Sequence, residues 1–278
     1  LSFNSNYFNQ NGILINSGFD RLTNRVSGEF TKGKFKAFAT VNFTEEHREQ
    51  EPFALYEYGI VQAPWQPSLN QITAIGESGV QIPVRNEIQY SFLSRQLDNI
   101  DKRKVNSSNI ALNLQYEILE GLKYKVNIGR NSWDYQREFF QPQYLVYRTD
   151  GSYNPTASRP QAILNENFIF SHKEALENVL TYDKAFGLHK LNFLGVVSYE
   201  RFNSKNVGTG VIYSETANND IVNLGAGSDG IKPTSQDERR TLSGKLFRAQ
   251  YNFNDKYLVS GSIRRDGSSK FSESNRYG

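Results

Sequence analysis

The fold is decided by residues 241–276, which read TLSGKLFRAQYNFNDKYLVSGSIRRDGSSKFSESNR. Before a turn at residues 254–256, every second residue is apolar: Phe247, Ala249, Tyr251 and Phe253. After the turn the alternation resumes with Tyr257, Val259, Gly261 and Ile263. Because successive side chains point to opposite sides of a strand, the pattern predicts an antiparallel hairpin with one apolar face and one mostly polar face.

The same alternation predicts three more hairpins upstream. The clearest one places Ile110, Leu112, Leu114, Tyr116 and Ile118 on one face, before a turn at Glu120-Gly121. The other two hairpins span residues 19–44 and 171–202, with turns at residues 32–34 and 185–188. Residues 1–10 are predicted to form one more strand. The sequence therefore predicts about eight or nine strands and almost no helix.

One change of phase interrupts this alternation. Leu122, Tyr124, Val126 and Ile128 are apolar at even positions, whereas Trp133 and Tyr135 are apolar at odd positions. A β-bulge would shift the alternation by one residue, and glycine is common at bulges. The sequence therefore predicts a bulge at Gly129.

The lengths of the connections point to a particular kind of sheet. Short turns near Gly33, Gly121, Gly187 and Asp255 alternate with long polar stretches at residues 47–104, 140–167 and 203–238. Outer-membrane barrels have this layout, whereas the strands of a soluble sandwich are spaced more evenly. The predicted fold class is all-β, an antiparallel transmembrane β-barrel segment, with all four short turns at one end.

The composition argues against several other classes of protein. The chain has no cysteine, and His47, His172 and His189 lack the spacing of metal ligands, so we expect no metal site and no cofactor. The 32 basic and 29 acidic residues nearly balance, which gives no sign of nucleic-acid binding. No catalytic triad order and no phosphate-binding glycine loop occurs, so we expect no enzymatic activity.

Three stretches resemble one family, the SusC/RagA-like TonB-dependent outer-membrane transporters. The hairpin of residues 241–276 is similar to the family's mid-barrel signature, which reads much like RxxYxYxDKYLxxxSxRxDGSSRF. Residues 116–129, YEILEGLKYKVNIG, resemble its YxILKGLxxxxxxG hairpin. Residues 175–200, ALENVLTYDKAFGLHKLNFLGVVSYE, resemble its xxExxLTYxKxFGxHxLxxLxGxSxE hairpin.

This resemblance implies a fold and a function. The family forms a 22-stranded barrel, filled by an N-terminal plug and covered by a SusD-like lipoprotein. Residues 1–278 are then expected to be a partial barrel domain, without the plug, the TonB box and both barrel ends. The implied protein lies in the bacterial outer membrane and imports an oligosaccharide or peptide with energy delivered through TonB. Two alternatives remain open: a β-rich surface protein that binds a ligand or adheres without transport, and a passive barrel.

The two faces of the sheet and the loops receive separate predictions. We expect outer-membrane lipid to contact Leu112, Leu114, Val126, Phe193 and Val259. The lumen or the plug is expected to contact Asn113, Gln115, Lys125, Gln250 and Asn252. Flat aromatic rings and arginine side chains in the loops suit polar oligomeric ligands, so the candidate substrate contacts are Trp65, Tyr90, Tyr144, Tyr147, Arg148 and Arg159. The alternative for these six is packing of loop on loop, or of loop against the lipoprotein.

Overall fold

The computed structural model describes residues 1–14, 16–50, 72–75, 81–86, 98–147, 152–217 and 220–278. The strands in chain order are β1 (Ser2–Asn11), β2 (Gly18–Lys32), β3 (Phe35–Glu49), β4 (Ile72–Ile75), β5 (Gln81–Asn86), β6 (Ile100–Leu119), β7 (Leu122–Gln141), β8 (Leu145–Tyr147), β9 (Ile163–Phe186), β10 (His189–Ile212), β11 (Asp229–Phe253) and β12 (Tyr257–Ser268). Nine of them form one antiparallel sheet in the order β1-β2-β3-β6-β7-β9-β10-β11-β12. The short strands β4, β5 and β8 form a separate sheet, in which β5 and β8 are parallel. The all-β antiparallel prediction is confirmed, and the nine-stranded sheet is open between its edges β1 and β12.

The four tight turns lie at one end of this sheet, as predicted. Neighbouring strands pair in chain order and antiparallel, so every second connection returns to the same end. Gly33, Gly121 and Gly187 have φ values of 57°, 83° and 55°. The fourth turn instead uses Asn254 and Asp255, with φ values of 54° and 53°. Glycine adopts this left-handed conformation without a Cβ penalty, and Asn and Asp are the side chains that tolerate it best.

The register places the predicted apolar and polar residues on opposite faces. Leu114 of β6 lies opposite Val126 of β7, and the next pair along is Gln115 with Lys125. The apolar face is uncovered, since Val259 is 68% exposed and Ile263 is 71% exposed. Side chains of this size rarely form such a continuous exposed surface in a water-soluble protein.

The predicted bulge at Gly129 is wrong. Gly129 pairs with Ala111 on β6 and with Ala175 on β9, and both registers continue unbroken past it. The irregularities lie elsewhere, between Glu117 and Leu119 beside the turn and at residues 208–210 of β10. The apolar phase changes because β7 has 20 residues, whereas only about 9–11 residues of a strand are needed to cross a bilayer. Trp133 and Tyr135 therefore keep the odd phase and lie on the polar face.

The loops are shorter than the sequence indicated. The stretch 203–238 is mostly strand, because β10 continues to Ile212 and β11 begins at Asp229. Likewise β9 begins at Ile163. These strand ends lack a regular alternation of apolar and polar residues, yet their backbones still pair across the sheet. Of the stretch 47–104, the structure describes only the ends and the two short strands β4 and β5.

A small hydrophobic core joins the strand ends that lie opposite the tight turns. Phe140 of β7, Leu164 of β9 and Tyr213, which follows β10, are buried there with Ala162. The rings of Phe140 and Tyr213 meet edge to face, with centroids 5.9 Å apart. This packing fixes the ends of β7, β9 and β10 that lie opposite the tight turns relative to each other. None of the described residues belongs to a helix with the length and hydrophobicity that a membrane span requires.

Candidate functional site

The two faces of the nine-stranded sheet offer different chemistry. We call the face that carries Asn113, Gln115, Lys125, Gln250 and Asn252 the inner face, and the opposite face the outer face. Hydrogen bonds link neighbouring strands across the inner face: the Asn127 amide donates to Glu177 over 2.8 Å, and the Asn192 amide donates to Asp183 over 2.6 Å. The inner face is not uniformly polar, because Val179, Val196 and Leu246 lie next to each other in register.

An aromatic pair stands on the inner face of β7. The rings of Trp133 and Tyr135 are stacked, with centroids 5.6 Å apart and planes 9° from parallel. The Trp133 side chain is 38% exposed. Its register partners are Ser107 and Ser171, whose small side chains do not cover the indole. Each ring keeps one face that the other ring does not cover, and a sugar ring or an apolar side chain of a ligand can stack there.

A charged cluster adjoins this pair on the same face. Asp101 of β6, whose side chain is only 11% exposed, accepts two hydrogen bonds from Arg137, at 2.9 and 2.7 Å. The Arg103 guanidinium donates to the same two carboxylate oxygens at 3.2 and 3.0 Å. Arg137 also lies 4.9 Å from the ring of Phe139. Two-point pairing holds the Arg137 guanidinium in place, while its other N–H groups remain available as donors for an acceptor on a ligand.

We call Trp133, Tyr135, Arg137, Asp101 and Arg103 together the inner platform. These residues lie on two hydrogen-bonded strands, whose far ends are fixed by the core around Phe140. A site on paired strands keeps its geometry better than one on a loop. The platform can stack on flat ligand surfaces and donate hydrogen bonds to anionic or carbonyl oxygens, which is the chemistry of binding.

Two of the six loop candidates are brought together in a packed loop. Tyr144 is 2% exposed, and the Arg159 guanidinium lies 5.0 Å from the centre of its ring. Their backbones exchange two hydrogen bonds of 2.9 Å. The Arg159 side chain also donates to the carbonyl of Pro142 over 3.3 Å. Both side chains therefore contribute to loop packing.

The other four candidates are placed only in part. Tyr147 contributes its backbone to β8, opposite Asn86 of β5. Trp65, Tyr90 and Arg148 lie outside the residues that the structure describes. A role in substrate binding stays a prediction for all six.

The inner platform was missed in the sequence for an identifiable reason. The odd phase of Trp133 and Tyr135 was visible, but it was explained by a bulge that is absent. Counting residues from the turn at Gly121 would have shown that position 133 lies beyond the length of a membrane-crossing strand. Aromatic residues at inner-face positions of a strand, beyond its membrane-crossing length, are therefore a usable sequence signal for an inner-face site.

Sequence comparison gives two curated relatives and no match to any protein-family model. TonB-dependent receptor P3 of Formosa agariphila is 26% identical over 285 residues, which is 98% of the chain. TonB-dependent receptor P39 of the same organism is 25% identical over 287 residues, which is 99% of the chain. The chain spans about a quarter of their length, 27% and 25%. Receptors of this kind are not enzymes, in agreement with the expectation from the sequence.

Solved structures share the arrangement of strands. The RagAB peptide transporter aligns with 99% of the chain and 31% of its own, at a TM-score of 0.77 and 17% identity. The ferric preacinetobactin receptor BauA of Acinetobacter baumannii aligns with 97% of the chain and 37% of its own, at a TM-score of 0.55 and 10% identity. The chain is therefore similar in sequence to two TonB-dependent receptors, and along almost its whole length it shares the fold of a stretch of the RagAB transporter.

Proposed function

We propose that this chain forms part of the wall of an outer-membrane importer that takes up an oligosaccharide or a peptide. The observation that carries the proposal is the pairing of an exposed apolar outer face with a mostly polar inner face along one sheet of nine antiparallel strands. A bilayer core cannot satisfy backbone hydrogen bonds, so a sheet that crosses it must close into a barrel. The open edges at β1 and β12 are the positions where further strands would pair.

The inner platform gives this wall a place to hold the imported molecule. It lies beyond the membrane-crossing part of β7, on the side away from the tight turns, where a solute arriving from outside the cell would first meet the lumen. Stacking on Trp133 and Tyr135 suits sugar rings and apolar side chains, and Arg137 suits a carboxylate. Oligosaccharides with acidic sugars and peptides both offer these groups. The structural relative RagAB is a peptide transporter, which supports the peptide as the first substrate class to test.

Energy and a partner complete the proposal. Names of the sequence relatives support coupling to TonB, which acts on the plug of such receptors. We propose that a SusD-like lipoprotein covers the lumen on the side of the inner platform. The loop of Tyr144 and Arg159 would then pack beneath that lipoprotein.

Uptake with and without energy tests this function. The full gene product, expressed in a host strain that lacks its own copy, should import fluorescently labelled peptides or acidic oligosaccharides. A protonophore or deletion of the TonB gene should abolish uptake while surface binding persists, and an affinity-tagged receptor should co-purify a lipoprotein. Uptake that is insensitive to both treatments would indicate a passive barrel. Binding without uptake would indicate a surface-binding protein instead.

A further inference from the structure

Two cations lie directly opposite each other on the outer face. Lys245 of β11 and Arg265 of β12 are register partners, and both side chains are exposed. Like charges in this position destabilise a sheet. Within the described part of the chain, no carboxylate forms an ion pair with either side chain. The Arg265 guanidinium lies 4.7 Å from the centre of the Tyr277 ring, a contact that orients the charge without neutralising it.

The pair marks the end of the apolar band on the outer face. From the turn, this face of β11 carries Phe253, Tyr251, Ala249 and Phe247 before it reaches Lys245. These positions span about eight residues, or ~20 Å along the membrane normal for a strand that rises ~3.3 Å per residue and is tilted by ~35–45°. The apolar band of such barrels is ~25 Å tall. Lys245 and Arg265 therefore lie at the membrane interface opposite the tight turns, at the height of lipid headgroups.

An apolar groove of about 500 Å³ runs from this pair towards the middle of the outer face. Gly195 of β10 forms its floor, and a Cβ built there would meet no atom within 4 Å. Leu180 and Phe247 flank Gly195 in register, and Tyr124 and Ile263 extend the two walls. The groove exists because Gly195 has no side chain between two large apolar neighbours.

We propose that this groove binds one anionic, phosphate-bearing lipid from the leaflet opposite the tight turns. Its phosphate accepts charge-assisted hydrogen bonds from Lys245 and Arg265, and one acyl chain lies over Gly195. A bound phosphate removes the repulsion between the two cations, and the acyl chain fills a space that no side chain occupies. The inference rests on the proposed function only in requiring that these strands cross a membrane.

Native mass spectrometry of the full gene product tests the site. The detergent-purified protein is mixed with dioleoylphosphatidylglycerol or with zwitterionic dioleoylphosphatidylcholine. We expect one tightly retained phosphatidylglycerol. Loss of one charge-assisted hydrogen bond weakens binding by roughly tenfold or more, so the variant Lys245→Ala/Arg265→Ala should retain the lipid at least that much less well. Gly195→Leu, which fills the groove, should also lose it.

A matched control removes a different cation from the same face. Arg130 of β7 lies opposite Glu174 of β9, with their charged atoms 3.9 Å apart, so Arg130→Ala should retain phosphatidylglycerol as the wild type does. Added inorganic phosphate should not displace the lipid; displacement would indicate a simple anion site and overturn the proposal. Equal retention of both lipids, or retention unchanged by the double variant and by Gly195→Leu, would also overturn it.

The outcome separates this site from the proposed function. Heat-modifiable migration in a gel, measured on each variant from membranes, shows that the barrel has folded and inserted. A wild-type gene product that never enters the membrane contradicts the proposed function. An inserted protein that retains phosphatidylglycerol without help from the cation pair contradicts the lipid site alone.

Discussion

Trp133 stacks on Tyr135 within strand β7, with ring planes 9° from parallel. Residues two apart in a regular strand share a face, so the stack shows that no β-bulge separates Trp133 from Tyr135. On the neighbouring strand β9, the rings of Phe168 and Phe170 are also stacked, 6.4 Å apart and 3° from parallel. The registers of the two strands place the β9 pair at the same height but on the outer face.

The two pairs make a matched test of the inner platform. Trp133→Ala/Tyr135→Ala should raise the half-saturating substrate concentration for uptake by about tenfold, since each aromatic contact contributes about 0.5–1.5 kcal/mol. Phe168→Ala/Phe170→Ala removes a similar stacked pair from the other face and should leave that concentration unchanged. Uptake assays over a substrate concentration series measure both. Equal effects of the two double variants would assign the loss to strand stability and not to substrate contact.

The turn at Gly121 should be the least tolerant of a side chain. A Cβ there would lie 2.0 Å from the carbonyl oxygen of Asp183, whose N–H donates to the Gly121 carbonyl over 2.9 Å. At Gly33 the same substitution meets no atom within 4 Å. We expect Gly33→Ala to cost about 1–2 kcal/mol for its left-handed backbone, and Gly121→Ala a further ~1–3 kcal/mol for the clash.

Denaturant titration of folding into lipid vesicles, monitored by gel mobility, compares the two glycine variants. Similar midpoints for Gly33→Ala and Gly121→Ala would show that Asp183 moves away without cost.

Adjacent residues of β6 test the assignment of the faces. Leu114→Arg places a charge on the lipid side and should destabilise the folded barrel by about 2–4 kcal/mol if the site lies near the bilayer midplane. Gln115→Arg places the same charge on the inner face, opposite Lys125, and should have a much smaller effect. Folding titrations into vesicles measure both changes. A larger loss of stability from Gln115→Arg than from Leu114→Arg would show that the two faces are assigned the wrong way round.

The order of the strands and the end at which they turn could be predicted because both depend on local signals. Alternation around Phe247 and Tyr257 defines a hairpin, and Gly121 or Asn254-Asp255 supplies the backbone conformation that a tight turn needs. Loop length could not be predicted in the same way. The ends of β10 and β11 pair through backbone hydrogen bonds, although their side chains show no regular apolar alternation.

The candidate site was only half visible in the sequence. Trp133 and Tyr135 were recognised as out of phase, yet the reason required the register with β6 and β9, which is a contact between distant residues. The clustering of Asp101 with Arg137 depends on the same register. Tyr144 and Arg159 were singled out by residue type, and the structure shows that they contact each other, which residue type alone does not predict.

Acid should weaken the turn that joins β11 and β12. Hydrogen bonds from the Lys190 ammonium, at 2.8 Å, and from the Asn252 amide hold the pKa of Asp255 below its usual range. A carboxyl group with a lowered pKa in the folded state contributes stability at pH values above its unfolded pKa. That contribution is lost as the pH falls through the folded-state pKa, which lies below the ordinary value of 3.8.

The variant Asp255→Asn tests this titration, because asparagine tolerates the left-handed backbone but carries no charge. When the pH is lowered from 7 to below about 4, the unfolding midpoint should fall further in the wild type than in the variant. Lys190→Gln, which removes the partner, should reduce the pH dependence in the same way. Parallel pH profiles for all three proteins would rule out a contribution from Asp255.

The most direct test of the barrel wall is the accessibility of single spin labels in lipid vesicles. The chain has no cysteine, so each substitution to cysteine carries the only label within it. Labels at Leu112, Leu114, Val126, Phe193 and Val259 should collide mainly with oxygen, which concentrates in lipid. Labels at Asn113, Gln115, Lys125, Gln250 and Asn252 should be shielded from oxygen relative to these. The predicted result is that oxygen accessibility alternates with a period of two along β6 and β7. A membrane-spanning wall would be contradicted if labels on both faces made equally few contacts with oxygen and were equally exposed to a water-soluble nickel chelate.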